Sequence, residues 1–124
     1  MSAFGDIGSS DPLQIWDGVA GWTAEGERVT LALIELEPDS VVPEHSHENE
    51  QVGILLKGSM RFRIGGEARE LTPGATWSIP SGTAHDVVTG PDGATLVEVF
   101  APGRADWSGL ERVAARRPLW PPLP

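Results

Sequence analysis

The chain has 124 residues, of which 40% are hydrophobic, and its formal net charge is −9 at pH 7. That length suits one core, so we expect residues 1–124 to form a single domain. The acidic balance argues against a nucleic-acid partner, because phosphate binding needs clustered Lys and Arg. The absence of Cys excludes disulfides and thiolate ligands, so nitrogen and oxygen atoms must hold any metal.

Signals for a membrane or for export are absent from the sequence. No apolar run approaches membrane-spanning length. The first residues, "MSAFGDIGSSDP", lack the basic and apolar regions of a signal peptide. We therefore expect a cytoplasmic protein with no membrane partner.

Short apolar runs separated by Gly and Pro predict a series of β-strands. In chain order the predicted strands are 13–19, 29–36, 51–57, 59–64, 67–71, 75–79, 85–89 and 94–100. The predicted breaks include Gly58, a hairpin at Gly65-Gly66 and the turn "GPDG" at 90–93. Short strands at this spacing are typical of an antiparallel sandwich or barrel, so the predicted fold class is all-β.

The series of short apolar runs that predicts strands ends at Pro102. Residues 105–117 could form a short helix with Asp106 as its N-cap, although Gly109 weakens that prediction. The tail "PLWPPLP", residues 118–124, cannot be helical and should be extended. The barrel core is thus predicted at about 28–104, followed by a C-terminal helix and a Pro-rich tail.

The histidines are the candidate metal ligands. His45 and His47 stand one residue apart in the acidic stretch "PEHSHENEQVG". If 43–48 is extended, both side chains lie on one face with their Cα atoms about 6.5–7 Å apart. Two imidazoles can converge on one ion from that distance. His85 begins a later predicted strand, and a neighbouring strand could bring it to the same centre.

Gln51 is the fourth candidate ligand. Along a straight strand it would lie roughly 13 Å from His47, so the chain must turn at "ENE" for it to join, and Asn49 favours such a turn. Glu50 competes with it if the turn differs by one residue, although neighbouring side chains point apart. An isolated HxH pair in an acidic loop is usually solvated. The placement of all three histidines at the ends of predicted strands is what favours a metal site.

These residues resemble the two motifs of the cupin superfamily. The first, G-x5-H-x-H-x3-E-x6-G, is similar to "HSHENEQVGILLKG", with Gln51 where the family usually has Glu. The second, G-x5-P-x-G-x2-H-x3-N, is similar to "GATWSIPSGTAHDVVT", in which Thr89 replaces the final Asn. The resemblance covers roughly 28–104. It implies a jelly-roll barrel (a double-stranded β-helix) that binds one divalent transition metal ion, with Fe, Mn, Ni, Zn and Cu not distinguishable.

A narrower resemblance is to small single-domain cupins of the pectin- and alginate-degradation type, which convert cyclic unsaturated uronates to linear ketouronates. Glu98, Phe100 and Arg104 match the spacing of an acidic residue, a Phe and an Arg that lie near the metal in that group. The resemblance implies that Glu98 is an acid–base group and that Arg104 holds the carboxylate of a small anionic substrate. Glu98 is one carbon longer than the Asp expected there, and Gly53 stands in a region that usually carries an aromatic residue.

Alternating residues predict the lining of the barrel. Met60, Phe62 and Trp77 should line it, and we expect some of them to contact a ligand together with Phe100. Three functions remain open: an isomerase or lyase-like enzyme acting on a small anionic sugar acid or keto acid, a metal-dependent dioxygenase, or a non-catalytic ligand-binding domain. Cupins of this size are often dimers through sheet edges, so the resemblance also implies a homodimer.

Overall fold

A computed structural model describes residues 2–122 of the chain. Within these residues eight antiparallel strands form the fold, which confirms the predicted all-β class. The strands are β1 Leu13–Trp16, β2 Val19–Glu25, β3 Thr30–Leu36, β4 Val41–His45, β5 Glu50–Ile64, β6 Glu67–Leu71, β7 Thr76–Ile79 and β8 His85–Ala101. Two short 3-10 helices, Ile7–Ser9 and Ala105–Gly109, lie outside the strands.

The two longest strands, β5 and β8, are shared by two packed sheets. The first half of β5 pairs with the second half of β8, in the strand order β1-β2-β3-β8-β5-β7. Their remaining halves pair with each other in the order β4-β8-β5-β6. Bending both strands therefore closes the sheet into a sandwich around one interior.

Glycines bend β5 and β8 at two positions where the sequence predicted turns. Gly58 and Gly93 have φ values of +85° and +73°, which L side chains rarely adopt. A Cβ atom on Gly58 would collide with the carbonyl oxygen of Gly93, so the close crossing of the two strands requires glycine. The predicted breaks at 58 and 90–93 are therefore wrong: each glycine bends a continuous strand.

The N-terminal segment forms a hairpin where the sequence predicted one strand over 13–19. Its turn lies at Asp17-Gly18, and Gly18 has a φ of +75°. An Asp-Gly pair between apolar residues is a typical hairpin turn. Strand β2, which the sequence analysis did not predict, pairs along its whole length with β3.

The predicted helix over 105–117 is wrong beyond Gly109. Asp106 does not cap it, since its carboxylate binds the side chain of Arg104, and Arg104 is the N-cap without a side-chain cap bond. After Gly109 the chain instead bridges to β1, with Arg112 opposite Leu13. The open edge of β1 offers backbone partners that favour this extended pairing. No helix among residues 2–122 is long and apolar enough to cross a membrane.

The C-terminal tail packs on the outer face of the first sheet. Glu35, on β3, is buried and accepts a hydrogen bond from the backbone N–H of Leu119 at 2.6 Å. The same carboxylate forms an ion pair with Arg116 at 2.9 Å. Residues 118–122 contain no helix, in agreement with the prediction, but residues 119–121 form bends and are not extended as predicted. The last two residues of the predicted tail, 123 and 124, lie outside the described residues.

Candidate metal centre

The three histidines meet at one end of the barrel. His45 ends β4 and pairs in register with His85, the first residue of β8. His47 lies beyond the end of β4, so the loop, and not strand alternation, places it. The ring centroids are 4.3 Å apart for His45 and His85, and 5.0 Å apart for His47 and His85. One ring nitrogen of each histidine lies within 4.8 Å of the others, so the three can hold one metal ion.

Backbone carbonyl groups fix the tautomer of all three rings. The Nδ1 atoms of His45, His47 and His85 lie 2.8, 2.9 and 2.8 Å from carbonyl oxygens. A carbonyl oxygen can only accept a hydrogen bond, so in each neutral ring Nδ1 carries the proton. Each Nε2 atom therefore keeps its lone pair. Such a second hydrogen bond is typical of histidines that bind metals.

Gln51 adds an amide oxygen to the three rings. Its Nε2 atom donates to Glu98, which leaves Oε1 facing Nε2 of His47 at 3.0 Å. With the proton of His47 on Nδ1, both facing atoms are acceptors, and neither can satisfy the other. Two ligands of one metal ion are commonly separated by about this distance, given bond lengths near 2.1 Å. A shared cation would resolve the conflict.

Burial favours neutral imidazoles at this centre. His85 is 2% exposed, and its Nε2 atom is buried with no hydrogen-bond partner among residues 2–122. Burial lowers the pKa of His85 to about 4, and burial together with the charge of Arg104 lowers the pKa of His47. Neutral rings with open lone pairs are the form that binds a metal. The donor set thus fits a divalent cation.

The loop that carries His47 is anchored from both sides. Asn49 is buried, and its side-chain Nδ2 donates to the carbonyl of Pro102 at 2.6 Å. Gly82 donates its backbone N–H to the carbonyl of His47 at 2.8 Å. This is the turn predicted at "ENE", and it leaves Gln51 buried while Glu50 is exposed. Of the two competing ligands, only Gln51 faces the histidines.

Glu98 is a buried carboxyl group next to the donor set. It accepts hydrogen bonds at Oε1 from Gln51 and from Nε1 of Trp77, the latter at 3.1 Å. Burial raises the pKa of Glu98 to about 7. Gly53 leaves room for the indole ring of Trp77, because a Cβ atom on residue 53 would lie 2.5 Å from atoms of that ring. The aromatic residue expected near position 53 is thus replaced by Trp77, which crosses over the glycine.

Arg104 is held rigidly at the rim. Its guanidinium carbon lies over two aromatic rings that pack edge to face, 4.8 Å from the centroid of Phe100 and 4.5 Å from that of Trp107. Asp106 binds it through two hydrogen bonds, at 3.1 and 3.0 Å. These contacts use the N–H of Nε and one N–H of Nη2, so the two N–H groups of Nη1 and the second one of Nη2 can still bind a ligand.

A cavity of about 220 Å³ adjoins the centre. Its polar lining residues are His45, Gln51, Glu98, Arg104 and Asp106. The apolar barrel interior contributes Val19, Ile34, Leu36, Val42, Val87 and Leu96. The remaining lining residues are Ile15, Trp16, Phe62, Phe100, Trp107 and Leu110.

The cavity contains two of the four residues predicted to contact a ligand. Phe62 and Phe100 line it, whereas Met60 is 1% exposed in the core and does not. Trp77 also lies outside the lining, behind Glu98. A molecule in the cavity would therefore touch Phe62 and Phe100, and Trp77 would act only through its hydrogen bond.

Two tryptophans of the site were not predicted from the sequence. Trp16 packs on His45 with ring centroids 5.1 Å apart, and Trp107 packs on Phe100 at the same distance. Both line the cavity from segments outside the predicted barrel core. The available signal was their position: a large aromatic residue in an edge strand and another just after Arg104, next to residues already assigned to the site.

Both the sequence and the fold are similar to those of known cupins. The Cupin domain family matches residues 32–100. The pectin degradation protein KdgF of Dickeya dadantii (strain 3937) is 33% identical over 64 residues, which cover 51% of this chain and 58% of that protein. The chain therefore spans less than two thirds of the length of this relative.

Solved structures of cupins superpose on this chain as well. KdgF from Halomonas sp. superposes with a TM-score of 0.77 at 23% identity, covering 86% of this chain and 98% of that chain. An RmlC-like cupin from Shewanella frigidimarina gives a TM-score of 0.78 at 21% identity, covering 86% and 96%. These likenesses show the shared fold. Since the Cupin domain matches more than half of the chain, across both histidine motifs, the chain belongs to the cupin family.

Proposed function

We propose that this cupin is a metal-dependent enzyme that acts on a small anionic sugar acid or keto acid, by a ring-opening or isomerisation reaction of the uronate type. One observation carries the proposal. A buried carboxyl group with a pKa near 7, Glu98, is hydrogen-bonded to the amide whose oxygen faces His47, one of three histidines that converge with open lone pairs. The similarity to a pectin degradation protein supports the same reaction class.

The residues that would hold the metal are His45, His47, Gln51 and His85. All four donors are neutral, so a divalent ion bound there would keep its full formal charge and supply Lewis acidity for polarising a substrate oxygen. This set departs from the arrangement of two histidines and one carboxylate found in many iron oxygenases. It suits an anionic ligand, since no protein carboxylate neutralises the centre directly.

Glu98 would move the proton. A group with a pKa of about 7 can both accept and donate a proton near neutral pH. Both of its protein donors bind Oε1, so Oε2 is the atom that would exchange a proton with the substrate. Gln51 and Trp77 keep the carboxyl group oriented while it does so.

Arg104 would position the substrate. Its stacking on Phe100 and Trp107 and its pairing with Asp106 fix the plane of the guanidinium before a ligand arrives. A carboxylate that approaches Nη1 would meet a preorganised donor, which lowers the entropy cost of binding. The apolar lining of the cavity would limit the water around the reacting atoms.

Metal analysis of untagged protein, combined with turnover of unsaturated uronates, tests the proposal. We expect about one divalent ion per chain in the wild-type protein and a large loss of metal in His45→Ala and His85→Ala. Glu98→Gln should retain the metal and lose turnover, because it keeps the shape and the acceptor atom but cannot exchange a proton. Loss of metal in Glu98→Gln would instead make Glu98 structural.

The remaining outcomes separate the alternative functions. Product formation that requires Fe(II) and consumes oxygen would favour a dioxygenase over the proposed reaction. Retention of metal in both histidine variants would overturn the assigned ligands. Wild-type protein that neither contains metal nor responds to added metal would favour a ligand-binding domain without catalysis.

A further inference from the structure

The cavity beside the metal centre is polar at few points. Five of its seventeen lining residues are polar, and the other twelve carry hydrocarbon or aromatic side chains. The lining includes no Ser, Thr, Asn or Lys among residues 2–122. A ligand in this space would therefore meet mostly apolar surface on its body and polar groups only at its ends.

Most of the polar atoms in the lining already have partners. Gln51 uses its amide nitrogen for Glu98, and its oxygen faces His47. Arg104 uses Nε and Nη2 for Asp106. Oε2 of Glu98, the remaining N–H groups of Arg104 and the metal are the main sites left inside the cavity, since the side chain of Asp106 is 63% exposed. The indoles of Trp16 and Trp107 can add donors but no acceptors. These suffice for a carboxylate and one further oxygen.

A sugar acid needs more partners than this lining offers. Each hydroxyl group is both a donor and an acceptor, and burying it without partners lowers affinity by roughly 5- to 150-fold. An apolar ring of the same size would instead gain from burial against residues such as Ile34 and Leu96. The chemistry of the lining thus discriminates against polyhydroxylated ligands.

The size of the cavity agrees with a small ring. An engineered apolar cavity of about 150 Å³ in another protein holds benzene. The present cavity of about 220 Å³ therefore has room for a six-membered ring, or a short branched chain, with a carboxylate attached. It lies below the usual range of roughly 300–1,000 Å³ for pockets that bind larger ligands.

We propose that this site selects a carboxylate with an apolar body, of the aliphatic or aromatic keto-acid or enol class, over a polyhydroxylated sugar acid. The inference rests on the proposed function for the roles of the metal and Arg104, and of its two substrate classes it selects the keto acid over the sugar acid. The carboxylate and the adjacent oxygen occupy the polar end, at Arg104 and the metal, and the hydrocarbon part lies against the barrel interior and Phe62.

Ligand binding by the full chain tests this preference. The probes are cyclohexanecarboxylate and galacturonate, which share a six-membered ring and one carboxylate and differ in hydroxyl groups, with cyclohexanol as the uncharged control. Trp16 and Trp107 line the cavity, so quenching of tryptophan fluorescence reports occupancy. We expect cyclohexanecarboxylate to bind at least about 10-fold more tightly than either other probe, with and without added metal.

A matched pair of variants separates the lining from the rest of the protein. Val87 lines the cavity, whereas its neighbour Val88 is 43% exposed on the opposite face of the strand. Val87→Thr adds a hydroxyl at nearly constant volume and should shift the ratio of dissociation constants toward galacturonate by about 3-fold or more. Val88→Thr should leave the ratio unchanged, and circular dichroism confirms that both variants fold.

Every outcome bears on the preference. Equal or tighter binding of galacturonate, or no binding of cyclohexanecarboxylate at millimolar concentration, would overturn it, even if the protein contains metal and turns over a uronate. Preferential binding of cyclohexanecarboxylate by a protein that takes up no metal would support the preference while the proposed enzymatic function fails. The two hypotheses can therefore fail separately.

Discussion

Glu98→Gln should change how the stability of the metal-free protein depends on pH. Glu98 is 6% exposed, and burial raises its pKa from 4.5 to about 7. Between these two values the folded state binds more protons than the unfolded state, so wild-type stability falls as the pH rises. At about 1.4 kcal/mol per pKa unit, the loss contributed by Glu98 is about 3 kcal/mol, and it is complete above pH 7.

The histidines act in the opposite direction. The pKa of His85 is lowered from 6.5 to about 4, and that of His47 is also lowered. Between pH 4 and 6.5 the folded state binds fewer protons at His85, and the lowered pKa of His47 acts in the same direction, so their contribution to stability rises with pH. The wild-type profile therefore combines two opposing slopes. The quantity to compare is the difference in unfolding free energy between Glu98→Gln and the wild type at each pH.

Urea denaturation after removal of metal by a chelator measures that difference. Relative to the wild type, Glu98→Gln should gain about 3 kcal/mol between pH 4 and pH 8. Glu70→Gln makes the same substitution on a side chain that is 73% exposed, and its profile should stay parallel to the wild-type profile. A parallel profile for Glu98→Gln would refute the reasoning, because it would mean that the carboxyl group titrates alike in both states.

Two core contacts give further predictions. Gly53→Ala should destabilise the protein by about 1–3 kcal/mol and change the near-ultraviolet dichroism of Trp77, since the new Cβ atom would lie 2.5 Å from the indole. Gly66→Ala, with open space around the Cβ position, should change neither, and an unaltered Gly53→Ala protein would contradict the contact. Thr89→Val should cost about 1–3 kcal/mol in urea denaturation, because it removes a buried hydroxyl that accepts from Ser40 at 2.6 Å. Thr89→Ser should retain most of that stability, and equal loss in both variants would assign the effect to packing.

The residues of the centre could be predicted because their geometry is mostly local. Histidines one residue apart and a glutamine four residues further on fix the ligands once a turn follows the strand. His85 depends on long-range pairing, although its motif placed it at the start of a strand, and the loop of His47 is held by contacts with Pro102 and Gly82. The convergence of the three histidines was therefore readable from the motifs, and Gln51 as a ligand stays a prediction, whereas the two tryptophans that line the cavity come from distant segments.

The errors in the fold have a common physical cause. A glycine at positive φ is required both where a chain reverses and where a strand bends, so Gly58 and the 90–93 segment look like turns locally. The continuity of β5 and β8 depends on their mutual pairing, which local sequence does not encode. The C-terminal segment also depends on pairing that local sequence does not encode. Its backbone pairs with the edge of β1 in place of the helix that Asp106 as N-cap had predicted.

The orientation of Gln51 links the proposed acid–base group to the proposed ligands. An ionised Glu98 can only accept, so it binds the amide nitrogen of Gln51 and turns the amide oxygen toward His47. Glu98→Gln retains an acceptor oxygen for that bond, whereas Glu98→Ala removes it and frees the amide to rotate and donate to His47. Metal content should therefore survive the first substitution and fall with the second. If both variants retain metal equally, the amide of Gln51 is oriented by the metal alone.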